Sequence, residues 1–217
     1  MLHTEILTGE TLALLKTLMQ DGRLSDCNLV GGTGLALNLG HRKSIDLDLF
    51  TPNTFNSKDL EKYLIDKYDF KESFIENNTL KGSINNIKID CITYPYPLIE
   101  PISCEEGIRI CSIKDIAAMK LSAIADSGSR LKDFVDVACL STRLTLNEML
   151  KSYDDKFKNT NEISPIKALT YYEDIKEKEP IMFISGKYDW KLIDKRLHEM
   201  TRKPDHLFAG DLPFRTK

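Results

Sequence analysis

Between Ser44 and Phe50 the chain alternates with a period of two: Ile45, Leu47 and Leu49 point one way, while Ser44, Asp46, Asp48 and Phe50 point the other. The pattern predicts a strand with a wholly aliphatic face, which a hydrophobic core must cover. Its polar face carries two carboxylates whose side chains stand about 7 Å apart along the strand. Such a pair can share a divalent cation. Without one, carboxylates pressed to about 4 Å repel by a few kcal/mol at an effective dielectric near 20. The solvent side of an ordinary edge strand shows the same alternation, so the pair must be read in context.

That context lies on both sides. Upstream, the short apolar run Cys27 to Val30 ends at Gly31-Gly32, and Leu35, Ala36, Leu37 and Leu39 suit a brief helix closed by Gly40. Small residues at a strand-to-helix turn let backbone N–H groups approach a phosphate, and Thr33 adds a hydroxyl. Downstream, Ile87 to Ile92 repeats the alternation with Asp90 on the polar side, although alone it reads equally as a solvated strand-end acid. Three carboxylates, Asp46, Asp48 and Asp90, on two neighbouring strands would hold Mg²⁺ or Mn²⁺. One ion would activate an attacking hydroxyl and one would grip a triphosphate, the arrangement of in-line nucleotidyl transfer. Between glycines and acids, Arg42 can neutralise a phosphate and Ser44 shares the carboxylate face, so both are candidate nucleotide contacts; His41 can pin the loop.

The remaining pattern predicts a helix over 10–20 and another over 57–67 with Ser57 as N-cap. Strands follow over 70–76, 79–84 and 87–93, turning at Asn77-Asn78 and Asn85-Asn86. Pro95, Pro97 and Pro101 mark a boundary within 94–110, and helices are expected over 113–125, 130–140, 146–157, 165–172 and 190–200. The fold class is therefore α/β in the α+β sense. It comprises a small mixed sheet flanked by helices over 1–110, and a helical region over 111–217 that completes an active-site cleft. Within the helices, Lys120 sits among apolar neighbours, where a cation needs a phosphate, a snorkelling path or an acidic partner. Asp133 can orient Lys120 or cap its own helix, and helix capping competes more strongly for Asp136.

No apolar run is long enough to span a bilayer, and Met1 to Glu5 lacks the start of a secretory leader, so a cytoplasmic location and no membrane partner are expected. The five scattered cysteines read as reduced and mostly buried. A net charge of −3 argues against a surface that is basic throughout. The run Lys187, Lys191, Lys195, Arg196, Arg202, Lys203, Arg215 and Lys217 reads as a solvated helix face or a local nucleic-acid contact.

Gly31-Gly32-Thr33-Gly34-Leu35-Ala36-Leu37 followed by Gly40 to Phe50 resembles the first motif of the AbiEii/AbiGii toxin family of nucleotidyltransferases. The stretch Asp115 to Ile124 with Lys132-Asp133-Phe134-Val135-Asp136 is similar to that family's helical motif. The resemblance implies a polymerase-beta-like fold, a metal and nucleoside triphosphate (NTP) site, and a toxin role beside a cognate antitoxin. It implies further that Asp46 and Asp48 bind metal and that Lys120 and Asp133 matter for function. Some relatives modify tRNA 3′ ends and others bind GTP, so the acceptor is expected to be an RNA, tRNA included, or a protein hydroxyl. Where many relatives carry Arg-Gly, this chain has Ser127-Gly128. That departure leaves a noncatalytic NTP-binding regulator as the alternative. The nucleotide-sugar reading of Asp-x-Asp is weaker, because such enzymes need a longer domain ahead of the motif.

Overall fold

The computed structural model describes residues 1–158, 161, 163–175 and 180–214, so Arg215 and Lys217 of the basic run lie outside the described residues. The chain divides into two units. The first comprises Met1–Asn38, Ser44–Pro97 and Pro101–Cys111, the second Leu39–Lys43, Leu98–Glu100 and Ser112–Lys217.

Seven strands build the first unit: β1 (Asn28–Leu29), β2 (Leu47–Thr51), β3 (Lys71–Glu76), β4 (Thr79–Ile84), β5 (Ile87–Thr93), β6 (Ser103–Glu105) and β7 (Ile108–Ile110). They form one mixed sheet ordered β3-β4-β5-β2-β1-β7-β6. β2 lies parallel to β5 and β1 parallel to β7, while the other neighbours are antiparallel. The helices are α1 (Gly9–Met19), α2 (Gly31–Leu39) and α3 (Ser57–Tyr68). Leu47, Leu49, Ile89, Cys91, Leu29 and Ile110 are buried in one core with Leu15, Leu18, Leu37 and Leu64. Chain parity thus sends one face of β2 and β5 into the core and leaves the acid-bearing face half-buried.

The hairpins follow their turn chemistry. Ile84 pairs with Ile87 across Asn85 (φ 51°) and Asn86 (φ 63°), the two left-handed residues that a type I′ turn requires. The same logic acts at Glu106 (φ 52°) and Gly107 (φ 80°), which join β6 to β7. This hairpin corrects the reading of 94–110 as a mere boundary, because β7 pairs with β1 and extends the sheet beyond it. The cue was the apolar alternation of Ile108 and Ile110 after a Glu-Gly turn, masked by the prolines around it. Arg109 between them donates to three carbonyls, those of Cys27 (3.1 Å), Met19 (2.6 Å) and Leu24 (2.8 Å), tying the end of α1 to the sheet.

Two local expectations shift. Asn56, not Ser57, caps α3 by accepting from the Lys58 and Asp59 amides. Ser57 is buried, and its hydroxyl donates to the Glu76 carbonyl (2.7 Å). The predicted strand from Ser44 begins only at Leu47, and Ile45 is 54% exposed instead of facing the core. The Asp46 carbonyl is taken by the Thr33 hydroxyl, so the backbone there bonds to the first turn of α2 instead of joining a strand.

The second unit contains α4 (Ile113–Asp126), α5 (Leu131–Leu140), α6 (Leu146–Lys156), α7 (Ile163–Ala168) and α8 (Trp190–Arg202). α4 packs against α5, α6 and α7, and α8 packs against α5. α7 starts and stops earlier than the predicted 165–172. Asp115, fully buried in the first turn of α4, holds the segment 98–100. It accepts from the Ile99 amide (3.0 Å) and the Glu100 amide (3.3 Å), while Lys156 Nζ lies 2.8 Å away. Arg196 of the basic run is also buried. It donates to Ser141 Oγ (3.0 Å) and Asp211 Oδ2 (2.6 Å) and covers the Phe208 ring, so it leaves the solvated face that its neighbours Lys191 and Lys195 occupy.

Candidate active site

In the first unit the parallel register of β2 and β5 sets Asp48 directly beside Asp90. Neighbouring strands lie about 4.8 Å apart, and equal parity turns both side chains to the same face. Gly31, which opens α2 with φ 66°, is the neighbour of Asp48: a Cβ at Gly31 would overlap the Asp48 carboxylate. Glycine is required twice here, for the left-handed backbone and for the acid's close approach. The Thr33 hydroxyl lies 2.8 Å from Ser44 Oγ and also reaches the Asp46 carbonyl, so Thr33 and Ser44 fix the segment that carries Asp46. The amides of Gly31, Gly32 and Thr33 belong to the first turn of α2, whose N–H groups have no acceptor within the helix. Lys81 on β4 stands opposite Asp90 and approaches its Oδ2 to 3.3 Å, a partner that sequence reading missed and that only the antiparallel register could reveal. Asp48 and Asp90 are therefore together. Among the described residues no group of three or more His, Cys, Asp or Glu side chains is gathered closely enough to hold a metal ion, so Asp46 does not complete such a cluster.

Gly31→Ala tests this packing. The added methyl must displace the Asp48 carboxylate and strain the backbone, and it is expected to cost about 1–3 kcal/mol of stability. Thermal denaturation reads the loss, and an unchanged midpoint would mean that Asp48 does not occupy that position.

In the second unit five titratable side chains meet in the interior. Asp136 on α5, fully buried, is bound bidentately by Arg42, Nε to Oδ1 at 2.7 Å and the terminal nitrogen to Oδ2 at 2.9 Å. His41 Nε2 lies 3.0 Å from Oδ1, and Lys120 Nζ lies 2.9 Å from Oδ2. Lys120 also donates to Asp133 Oδ1 at 2.6 Å. Two cations face two carboxylates, and this near-neutral balance is what makes their burial tolerable. Backbone bonds extend the arrangement: the His41 carbonyl accepts from the Ile184 amide, and the Lys43 amide donates to the Met182 carbonyl.

A family model described as nucleotidyl transferase AbiEii toxin, type IV TA system, matches residues 13–207. The chain belongs to this AbiEii family of nucleotidyltransferase toxins. Among its relatives, an uncharacterized protein of Aquifex aeolicus is 34% identical over 180 residues, covering 79% of this chain and 85% of the other. The structure of JHP933 from Helicobacter pylori is similar in fold, with TM-score 0.53 and 17% identity, over 92% of this chain and 93% of that one. MenT4, a nucleotidyltransferase toxin from Mycobacterium tuberculosis, aligns with TM-score 0.55 and 15% identity, over 88% and 81%. The mixed α/β architecture is thus a nucleotidyltransferase fold, and the AbiEii chain is a nucleotidyltransferase. Among its described residues no helix is long and apolar enough to cross a membrane.

In this AbiEii protein Asp136, which the sequence reads first as a helix cap, is the centre of the buried network, while Asp133 pairs with Lys120. The available signal was its position three residues after Asp133 and between Val135 and Val137, on a helix that is buried along almost its whole length. Burial would raise the Asp136 carboxyl, but Arg42 and Lys120 beside it hold it well below the usual carboxylate range. Burial lowers the His41 pKa from its ordinary 6.5, and the hydrogen bond to Asp136 only partly opposes this. A lowered folded pKa means that the unfolded chain binds the proton more readily. The His41 contribution is therefore present above about pH 6.5 and is lost as pH falls through that value, at up to about 1.4 kcal/mol per pH unit. Chemical denaturation between pH 7.5 and 5 is expected to show this slope, and His41→Gln to remove it; an equal slope in the variant would contradict the assignment.

Proposed function

We propose that this AbiEii nucleotidyltransferase moves a nucleotide from an NTP to a hydroxyl of an RNA, tRNA included, or of a protein. The observation that carries the reading is the parallel register of Asp48 with Asp90 beside the glycine-opened helix α2. The donors are hard carboxylate oxygens, the kind that suits Mg²⁺ or Mn²⁺. Asp48 and Asp90 would hold the ion, and Asp46, two residues upstream, would have to approach them to serve as a further ligand. A bound divalent ion supplies charge neutralisation at the phosphates and lowers the pKa of an attacking hydroxyl. The amides of Gly31, Gly32 and Thr33, at the positive end of α2, suit an anionic phosphate. Ser44 and Thr33 hold the Asp46 backbone in place. Lys81 balances Asp90 when no cation is bound, and is free to turn to a phosphate once one is.

Arg42, Lys120 and Asp133 serve this reading as a buried brace that sets the loop 41–43 and the α4–α5 pair; direct phosphate contact by Arg42 or Lys120 would require them to leave Asp136. That engagement is also the observation that favours a second reading, NTP binding without transfer, since both cations are already satisfied. A cognate antitoxin is the expected protein partner, and the cytoplasm the expected site of action.

Incubating the purified protein with each labelled NTP, Mg²⁺ or Mn²⁺, and total RNA or cell lysate separates the two readings. Label transferred to an RNA or protein, with pyrophosphate released, is the expected result. NTP binding by calorimetry without transfer to any acceptor would establish the regulator instead, and no binding at all would remove both.

A further inference from the structure

The sheet face that carries Asp48 and Asp90 continues into three aromatic rings. Phe50 follows Asp48 by two residues on β2 and faces Ile92 across the register, and Tyr94 follows Ile92 by two. By parity all five side chains share the face. The Tyr94 amide donates to the Thr51 carbonyl (2.7 Å), which keeps this alignment past the end of β5. The rings confirm it: Phe50 and Tyr94 centroids lie 5.3 Å apart and Tyr94 and Tyr96 centroids 4.7 Å apart, each pair tilted. Phe50 and Tyr94 are half-buried, and Tyr96 is 44% exposed. An aromatic stair therefore climbs from the carboxylates to the surface.

Its position relative to the phosphate end is equally informative. β1 runs antiparallel to β2, Leu29 opposite Leu49 and Asn28 opposite Phe50, so the chain reaches Gly31 and the start of α2 beyond Asp48 on the side away from Phe50. Along the strand the order is amide-bearing helix end, carboxylates, aromatic rings. A nucleoside triphosphate has the same order: terminal phosphates, reacting α-phosphate, then sugar and base. The step from Asp48 to Phe50, about 7 Å along the strand, matches the span from an α-phosphate to its base.

We propose that Phe50, Tyr94 and Tyr96 form the stacking platform for the base of the incoming NTP. The proposal rests on the metal and NTP reading of Asp48 and Asp90. Stacking on an aromatic ring does not depend on a base's hydrogen-bonding edge, so the platform takes all four bases, because every base offers a face to stack. Base selection is left to groups other than these rings.

The test compares ATP, GTP, CTP and UTP with inorganic tripolyphosphate, each with Mn²⁺, by calorimetry on the full chain. Phe50→Leu and Tyr94→Leu keep apolar volume while removing the ring, and Tyr96→Ala alters an exposed position; unchanged thermal midpoints certify folding. Each variant is expected to weaken all four NTPs by about tenfold, a typical loss for one stacking partner, and to leave tripolyphosphate within about twofold. Equal losses for NTPs and tripolyphosphate, or no loss for NTPs, would overturn the platform. A rise in acceptor KM with NTP affinity unchanged would overturn it too, assigning the rings to the acceptor. If wild-type protein binds neither ligand, the metal and NTP reading fails and the platform falls with it. NTP binding that ignores the rings defeats the platform alone.

Discussion

Asp48→Asn is expected to reduce nucleotide transfer by about 10³-fold or more while leaving the protein folded, because it removes charge from the point where a cation would neutralise the phosphates. The side chain keeps its size, so the contact with Gly31 and the pairing of β2 with β5 are preserved. Stability should change little. Asparagine keeps the volume of the carboxylate, so the packing against Gly31 and beside Asp90 is retained. A midpoint within about 4 °C of wild type is expected. Transfer assays with labelled NTP and thermal denaturation read the two quantities together. Full activity in the variant would end the assignment of Asp48; a collapse of the midpoint would show the residue to be structural instead. Asp90→Asn should lose transfer in the same way, and it also leaves Lys81 without the carboxylate it pairs with.

The second large effect lies in the interior of the helical unit. Asp136→Asn keeps the shape of the side chain but leaves Arg42 and Lys120 with one carboxylate, Asp133, between them. Breaking a buried pair from one side costs about 3–5 kcal/mol, because the remaining charge keeps its desolvation penalty without compensation. A fall in thermal midpoint of about 10 °C follows for a chain of this size. Pairing the change with Arg42→Met should restore part of the loss, since both members of one ion pair are then gone; a double variant no more stable than Asp136→Asn alone would mean that Arg42 and Asp136 are not energetically coupled. The pH dependence has the corresponding sign. The folded Asp136 carboxyl is held well below its ordinary value, so its contribution is complete above about pH 4 and disappears as pH falls below the unfolded value.

Much of the first unit was legible because its determinants are local. The alternation at Leu47 to Phe50 and Ile87 to Ile92, the asparagine turns and the glycine at 31 act within a few residues of themselves. Strand ends were less legible. Ser44 to Asp46 has the alternation of a strand, yet a side-chain hydrogen bond from Thr33, thirteen residues away, takes the backbone carbonyl that a ladder would need. The hairpin of β6 and β7 escaped for a related reason: three residues per strand carry little periodic signal, and nearby prolines suggested a break.

The sequence by itself determined the candidates: which residues are acidic, basic or aromatic, and, within the strands and helices that form, which face most of them occupy, since these follow from chain parity and helical period. Only the tertiary structure decided the company each residue keeps. Asp48 meets Asp90 through a parallel register between strands about 40 residues apart, and Arg42 meets Asp136 across a separation of 94 residues. Such pairings depend on which buried surfaces fit and which buried charges find a counter-charge, conditions satisfied by the packed whole and by no segment alone. For the same reason Lys120, an isolated cation in the sequence, is in the fold one arm of a buried network centred on Asp136.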